Sequence, residues 1–254
     1  MAETTTFAGT PIWVDLSSSD AAASRDFYAK LFGWEVPVEA DPAAGGYAMA
    51  RAGGRQVAGI GPAQPGAPTA WTVYIGSEDA EATARKVEAA GGKVVAGPFD
   101  VMEAGRMAVF QDPHGAFIAV WQPKQMRGAD LMNAPGSLAW VELNARGVEA
   151  AKEFYREVFG WTEKVSEMGE GTGQYTEFLA EGRSIAGAME MNPMVPAEVP
   201  NYWQVYFGVE DVDGSFRKAV ELGGHGLVEP MDYPGGRFAI VQDRQGGVFG
   251  LLKV

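Results

Sequence analysis

The sequence predicts an α+β protein made of two tandem copies of one fold, and three observations predict it. The first is a long-period repeat. Phe27-Tyr28-Ala29-Lys30-Leu31-Phe32-Gly33-Trp34 returns as Phe154-Tyr155-Arg156-Glu157-Val158-Phe159-Gly160-Trp161, 127 residues later. Gly54-Arg55 returns as Gly182-Arg183, Ala58-Gly59 as Ala186-Gly187, Trp71 as Trp203, and Gln111-Asp112 as Gln242-Asp243, with the offset drifting only between 127 and 132. A period this long is too large for a solenoid and marks homologous domains in tandem. The second observation is that strand-like alternation and helix-like periodicity follow one another in a fixed order. The third is that this order restarts inside each copy, at Trp71 and again at Trp203.

Each element has a local reason. Ile12, Val14 and Leu16 alternate with Trp13, Asp15 and Ser17, as Ala139, Val141 and Leu143 do with Trp140, Glu142 and Asn144, which is the period of a half-buried strand. A helix follows each. Asp20 can cap the first, Ala23, Phe27 and Leu31 share a face, and Gly33 ends it; Ala150, Phe154 and Val158 repeat that face before Gly160. Short strands are expected near Trp34–Val38, Tyr47–Arg51 and Gln56–Ile60, and near Thr162–Val165, Tyr175–Ala180 and Ser184–Met189. Within the first copy the pattern resumes with a strand at Trp71–Ile75 and a helix from Asp79 to Ala90, closed by Gly91-Gly92. Three more strands follow near Lys93–Ala96, Arg106–Gln111 and Ala116–Trp121. The second copy repeats this with Trp203–Phe207, a helix from Asp211 carrying Phe216, Ala219 and Leu222, and Gly223-Gly224. The expected domains are therefore 1–121 and 137–254, with Gln122–Gly136, which holds two prolines and two glycines, as the linker.

The bulk properties exclude several classes. The chain has 254 residues and is 46% hydrophobic, enough to give each copy a core. Its net charge of −13 repels phosphate backbones and anionic membranes at long range, so nucleic acid is not an expected partner. There is no cysteine, which removes disulfides, thiolate metal sites and cysteine nucleophiles together. No apolar run approaches the roughly 20 residues of a membrane span. The segment Met1–Thr6 has neither the basic nor the apolar region of a signal peptide, so a soluble cytoplasmic protein is expected.

The β-α-β-β-β order, used twice per domain, resembles the vicinal-oxygen-chelate superfamily of glyoxalase I, extradiol dioxygenases and bleomycin-resistance proteins. The residues that carry the resemblance are Asp20 through Phe27-Tyr28 to Phe32-Gly33-Trp34, and the turn Asp112-Pro113-His114-Gly115. The second copy supplies Phe154-Tyr155 to Phe159-Gly160-Trp161 and a degraded turn, Asp243-Arg244-Gln245-Gly246. The resemblance spans almost the whole chain and implies tandem glyoxalase-like domains, each of two βαβββ units curled into a cupped, barrel-like sheet. It specifies fold much more closely than function. Metal enzymes of the family place one ligand on the first and last strand of each unit. Those positions map here to Trp13 and Thr72, to Trp140 and Gln204, and on the last strands to Ala58 or Gly59, Ala119, Ala186 or Gly187, and Gly250. None is His, Asp or Glu, so no metal ligand and no cofactor is predicted.

The candidate ligand-binding residues follow from these faces. Trp13 and Trp140 should point into the cups, because Val14 and Val141 must face the helices, and an indole there offers a flat stacking surface or simply fills the barrel. Asp15 and Glu142 share that face two residues on. A carboxylate there needs a donor, and it either recognises a ligand, acts as a catalytic base, or bonds a neighbouring strand. Thr72 with Tyr74, and Gln204 with Tyr206, are matching pairs able to orient a carbonyl or quinone oxygen, or to fill the barrel with a satisfied hydroxyl. Trp121 adds an aromatic wall in the first copy where the second has Leu252. Tyr47, Met49, Tyr175 and Glu177 lie on strands whose facing the sequence does not fix. The two histidines, His114 and His225, read as loop tips.

Three functions fit. The first is a metal-free binder that sequesters or senses a small aromatic or lipophilic molecule in a Trp- and Tyr-lined cup, like the antibiotic-sequestering members of the family. The second is an enzyme of the glyoxalase or dioxygenase type with a rebuilt site using Asp15 or Glu142. The third is a regulatory or scaffold protein with closed cups. Single domains of this family often pair, so the tandem is expected to act as a pseudo-dimer within one chain and to be a monomer.

Overall fold

The computed structural model describes residues 8–37, 42–168 and 173–254. The first half of the chain forms β1 (Pro11–Ser18), α1 (Ala21–Phe32), β2 (Ala48–Ala52), β3 (Arg55–Pro62), β4 (Ala70–Gly76), α2 (Ala80–Ala89), β5 (Lys93–Val101), β6 (Gly105–Gln111) and β7 (Phe117–Pro123). The second half forms β8 (Leu138–Ala145), α3 (Val148–Phe159), β9 (Thr162–Glu167), β10 (Gln174–Ala180), β11 (Arg183–Glu190), β12 (Tyr202–Val209), α4 (Val212–Glu221), β13 (His225–Tyr233), β14 (Gly236–Gln242) and β15 (Val248–Lys253). The fold class is α+β, with one mixed sheet from each half. The seven-stranded sheet runs β2-β3-β1-β4-β7-β6-β5 and the eight-stranded sheet β13-β14-β15-β12-β8-β11-β10-β9.

The helices begin and end for local reasons. Asp20, Asp79 and Asp211 accept the backbone N–H three residues on, from Ala23, Ala82 and Gly214. α3 starts at Gly147 without such a cap, and Glu190 takes its place, accepting from the N–H groups of Gly147 and Val148. Gly33 and Gly160 close α1 and α3 in the left-handed conformation, at φ 73° and 71°. The buried stripe of α1 is Ser24, Phe27, Tyr28 and Leu31, and that of α3 includes Ala151, Phe154, Tyr155 and Val158, while Ala150 is exposed. The strand expected over Trp34–Val38 is reduced to one bridge between Glu35 and Arg51, and Val38 lies outside the described residues. Pro37 has no N–H to extend that pairing, whereas Thr162–Glu167, free of proline, pairs with β10 along its whole length.

The compact units do not follow the repeat. One contains 8–12, Val73–Gly128 and Val141–Trp203; the other contains Trp13–Thr72, Ala129–Trp140 and Gln204–Val254. Each therefore joins one βαβββ module from each half. In the first unit α2 packs on α3, and in the second α1 packs on α4.

A buried three-residue chain fastens each unit. Tyr28 on α1 donates to Asp243 Oδ2 at 2.9 Å and accepts from the Trp71 indole at 3.1 Å. Tyr155 on α3 donates to Asp112 Oδ2 at 2.8 Å and accepts from Trp203 at 2.9 Å. The other oxygen of each aspartate closes its own turn: Asp112 accepts from the backbone N–H of His114 and Ala116, and Asp243 from Gln245 and Gly247. The second turn is thus as fully bonded as the first, despite its divergent sequence. Burial and the facing carboxylate push both phenols well above their ordinary pKa, and burial raises the Asp243 carboxyl.

The segment Gln122–Gly136 is tied along its length. The Trp121 indole donates to the Met126 carbonyl at 2.8 Å, and Asp130 exchanges backbone and side-chain bonds with Gln56. Asn133 bonds Leu138, and Pro135 bridges Gly208.

Candidate functional site

All four modules share one register. The first and last strands pair in parallel with Asp15 opposite Gly59, Tyr74 opposite Ala119, Glu142 opposite Gly187, and Tyr206 opposite Gly250. Side chains alternate along a strand, so Trp13, Thr72, Trp140 and Gln204 lie two residues earlier on those same faces.

On the β1–β3 face, Trp13 is 3% exposed and its indole N–H donates to the Tyr47 hydroxyl at 3.1 Å. That hydroxyl donates onward to Asp15 Oδ2 at 3.2 Å. The Tyr47 ring lies across Gly59 and Gly61, where any Cβ would overlap it. Burial and the Asp15 carboxylate hold the Tyr47 phenol well above its ordinary pKa, so it stays a neutral donor.

On the β8–β11 face the carboxylate is longer and deeper. Glu142 is 7% exposed, accepts from the Tyr175 hydroxyl at 2.9 Å, and has the Asn144 amide at 3.4 Å. Asn144 stands opposite Met189, which in turn pairs with Tyr175, while the matching residue of β1, Ser17, stands opposite Gly61. Burial and the charge of Glu142 raise the Tyr202 phenol, and Arg146 partly offsets them. The Arg146 guanidinium donates to the carbonyls of Val195, Pro196 and Val199, which fixes the connection into β12 on this side.

The remaining candidates take other places. Trp121 is buried over Gly105, with its indole bonded to the Met126 carbonyl, which makes it part of the sheet's packing. Tyr74 is buried opposite Ala119, and Thr72 is half-buried. Gln204 is 2% exposed and bonds the neighbouring Val205 carbonyl. The Tyr206 ring covers Gly250 and meets Phe238 edge-on at 6.4 Å. Trp140 is half-buried. Both histidines are exposed, His114 in its turn and His225 as the first residue of β13 rather than a loop tip.

The residues missing from the sequence-based candidates are Tyr47 and Tyr175 as direct partners of the carboxylates, and Asn144. A signal existed, because Tyr47 and Tyr175 recur at the repeat offset just as Asp15 and Glu142 do.

The metal that the fold family implies finds no matching donor set. The first-strand positions Trp13, Thr72, Trp140 and Gln204 carry no carboxylate, the residues two further on add at most one per module, and the last-strand partner is always Gly or Ala. Among the described residues no group of three His, Cys, Asp or Glu is placed to hold an ion. Among the described residues no helix is long and apolar enough to cross a membrane.

The repeat, the module order and this register define a double glyoxalase-type protein. The chain belongs to the glyoxalase/bleomycin resistance protein/dioxygenase superfamily, whose family model matches residues 11–120 and again 137–250. It is 41% identical over 251 residues to "Putative glyoxylase CFP32" of Mycobacterium tuberculosis, covering 96% of this chain and 95% of the relative. It is also 41% identical over 261 residues to "Anthracycline biosynthesis protein DnrV" of Streptomyces peucetius, covering 97% and 94%. Among solved structures, the Mn(II)-bound glyoxalase from Novosphingobium aromaticivorans matches with TM-score 0.64 at 19% identity, over 97% of this chain and 82% of that one. The 2,3-dioxygenase LapB from Pseudomonas sp. KL28 matches with TM-score 0.64 at 14% identity, over 98% and 94%. These structural likenesses are of fold.

Proposed function

We propose that this chain binds a planar aromatic small molecule without a family-type metal centre, and that it sequesters or delivers that molecule. One observation carries the reading. At the last-strand position of all four parallel strand pairs the residue is Gly or Ala, and the opposing groups are carboxylates bonded by phenols or tyrosine rings. Small residues beside aromatic walls and one polar anchor suit a flat ligand with a hydroxyl or carbonyl rim. The name of the Streptomyces peucetius relative supports the same class, since anthracyclines are fused-ring aromatics. We place the protein in the cytoplasm as a monomer.

A second reading has its own support. Glu142 is buried and neighbours Tyr175 and Tyr202, an environment in which a carboxylate can serve as a general base on a phenolic or carbonyl substrate. The name of the mycobacterial relative points the same way.

Tryptophan fluorescence titrated with 1,4-dihydroxyanthraquinone tests the binding reading. Saturable quenching with a stoichiometry of one or two supports it, and linear, non-saturating quenching counts against it. Chemical change of the bound quinone, followed by its absorbance, would favour the second reading.

A further inference from the structure

Tyr47 sits just ahead of β2, and its ring rests on two residues of β3 that have no side chain. A Cβ on Gly59 would fall far inside the van der Waals contact distance of the Tyr47 hydroxyl oxygen, and one on Gly61 would stand 2.9 Å from Cδ2. Both positions must be glycine for the ring to lie there. The hydroxyl is held by one donor, Trp13, and one carboxylate acceptor, Asp15. The arrangement is a phenol seated on bare backbone with its oxygen fully bonded. In the second half the residue matching Gly61 is Met189, so the same seat is not available to Tyr175.

We propose that Tyr47 is a specificity gate on the β1–β3 face, its ring filling a subsite for one phenolic ring of the ligand. The proposal rests on the aromatic-binding reading and adds the ligand class, a flat ring with a free phenolic hydroxyl. Such a ring enters by displacing Tyr47. It then accepts from Trp13 and donates to Asp15 in its place, so no buried polar group is left unpaired by the exchange. A ring without the hydroxyl replaces neither of these two bonds and is disfavoured on that ground.

The test uses the full chain and p-cresol, which is the tyrosine side chain itself, with toluene as the hydroxyl-free control, by calorimetric titration. Tyr47→Ala is expected to bind p-cresol at least tenfold more tightly than the wild type, and toluene at least tenfold more weakly than p-cresol. Adding Asp15→Leu, which removes the acceptor, is expected to cut that preference at least threefold. Equal p-cresol affinity in the wild type and Tyr47→Ala, equal affinity for the two probes, or a preference cut less than threefold by Asp15→Leu overturns the gate. Should Tyr47→Ala fail to fold, Tyr47→Phe takes its place, where at least a threefold gain for p-cresol supports the proposal and an unchanged affinity overturns it. The gate alone is lost if these results are flat while quenching by 1,4-dihydroxyanthraquinone remains saturable; loss of that quenching removes the broader reading.

Discussion

The Asp15 face and the Glu142 face are one arrangement built twice, and they differ by three substitutions. In the first half the shorter carboxylate reaches a tyrosine that lies flat, because Gly59 and Gly61 leave the backbone bare beneath it. In the second half the side chain gains a methylene, Met189 stands where Gly61 was, and Asn144 replaces Ser17 as the neighbour. The hydrogen bond from phenol to carboxylate survives all three changes. A repeat therefore conserves the polar pairing while altering the floor under the ring, and that floor decides what else fits.

The comparison can be broken at several places. The largest expected effect lies below the faces, in the chains that fasten each unit. Asp112→Ala and Asp243→Ala each remove a buried phenol's acceptor and unpair two turn N–H groups, and each should cost about 3 kcal/mol in urea unfolding. Asp243 also carries a pH response. Burial raises the Asp243 carboxyl, so the folded chain holds that proton more tightly than the unfolded chain does. Its contribution favours folding below the ordinary carboxylate range and is lost as pH rises through the raised value. Asp243→Asn should flatten this fall when Tm is followed against pH.

Next comes the floor itself. Gly61→Met, which copies the second half into the first, should dislodge Tyr47 and cost about 2 kcal/mol, within the usual range for overpacking. Wild-type stability in that variant would mean that the ring does not rest on β3. Glu142→Gln keeps the shape of the second face and removes its charge; quinone affinity should fall roughly tenfold, about 1.4 kcal/mol, and an unchanged Kd would remove Glu142 from the site. The smallest effect is expected from Tyr175→Phe, about 1 kcal/mol of stability, since one hydrogen bond goes and the ring remains.

Much of this was legible from the residues. The repeat marks both copies, alternation puts Asp15 and Glu142 beside Trp13 and Trp140 on one face, and the last-strand positions Ala58 or Gly59, Ala119, Ala186 or Gly187, and Gly250 read as small residues without a ligating group. Tyr47 was not legible as a partner, because it precedes β2 by one residue and only the tertiary position of its ring shows what it covers. Nor was the exchange of modules between compact units. The residues that enforce it, Tyr28 with Asp243 and Tyr155 with Asp112, are far apart in sequence, and burial alone makes their pairing strong. Trp121 stays ambiguous for a simpler reason: an indole over a glycine, Gly105, looks the same in sequence whether it faces a ligand or packs its own sheet.

The central claim is that the barrel-lining strand pairs bind an aromatic ligand through phenol-bonded carboxylates and bare backbone, not through a metal. Calorimetric titration of 1,4-dihydroxyanthraquinone into protein dialysed against EDTA tests it most directly. The account predicts the same Kd before and after chelation; binding that vanishes with EDTA and returns with Mn(II) would contradict it.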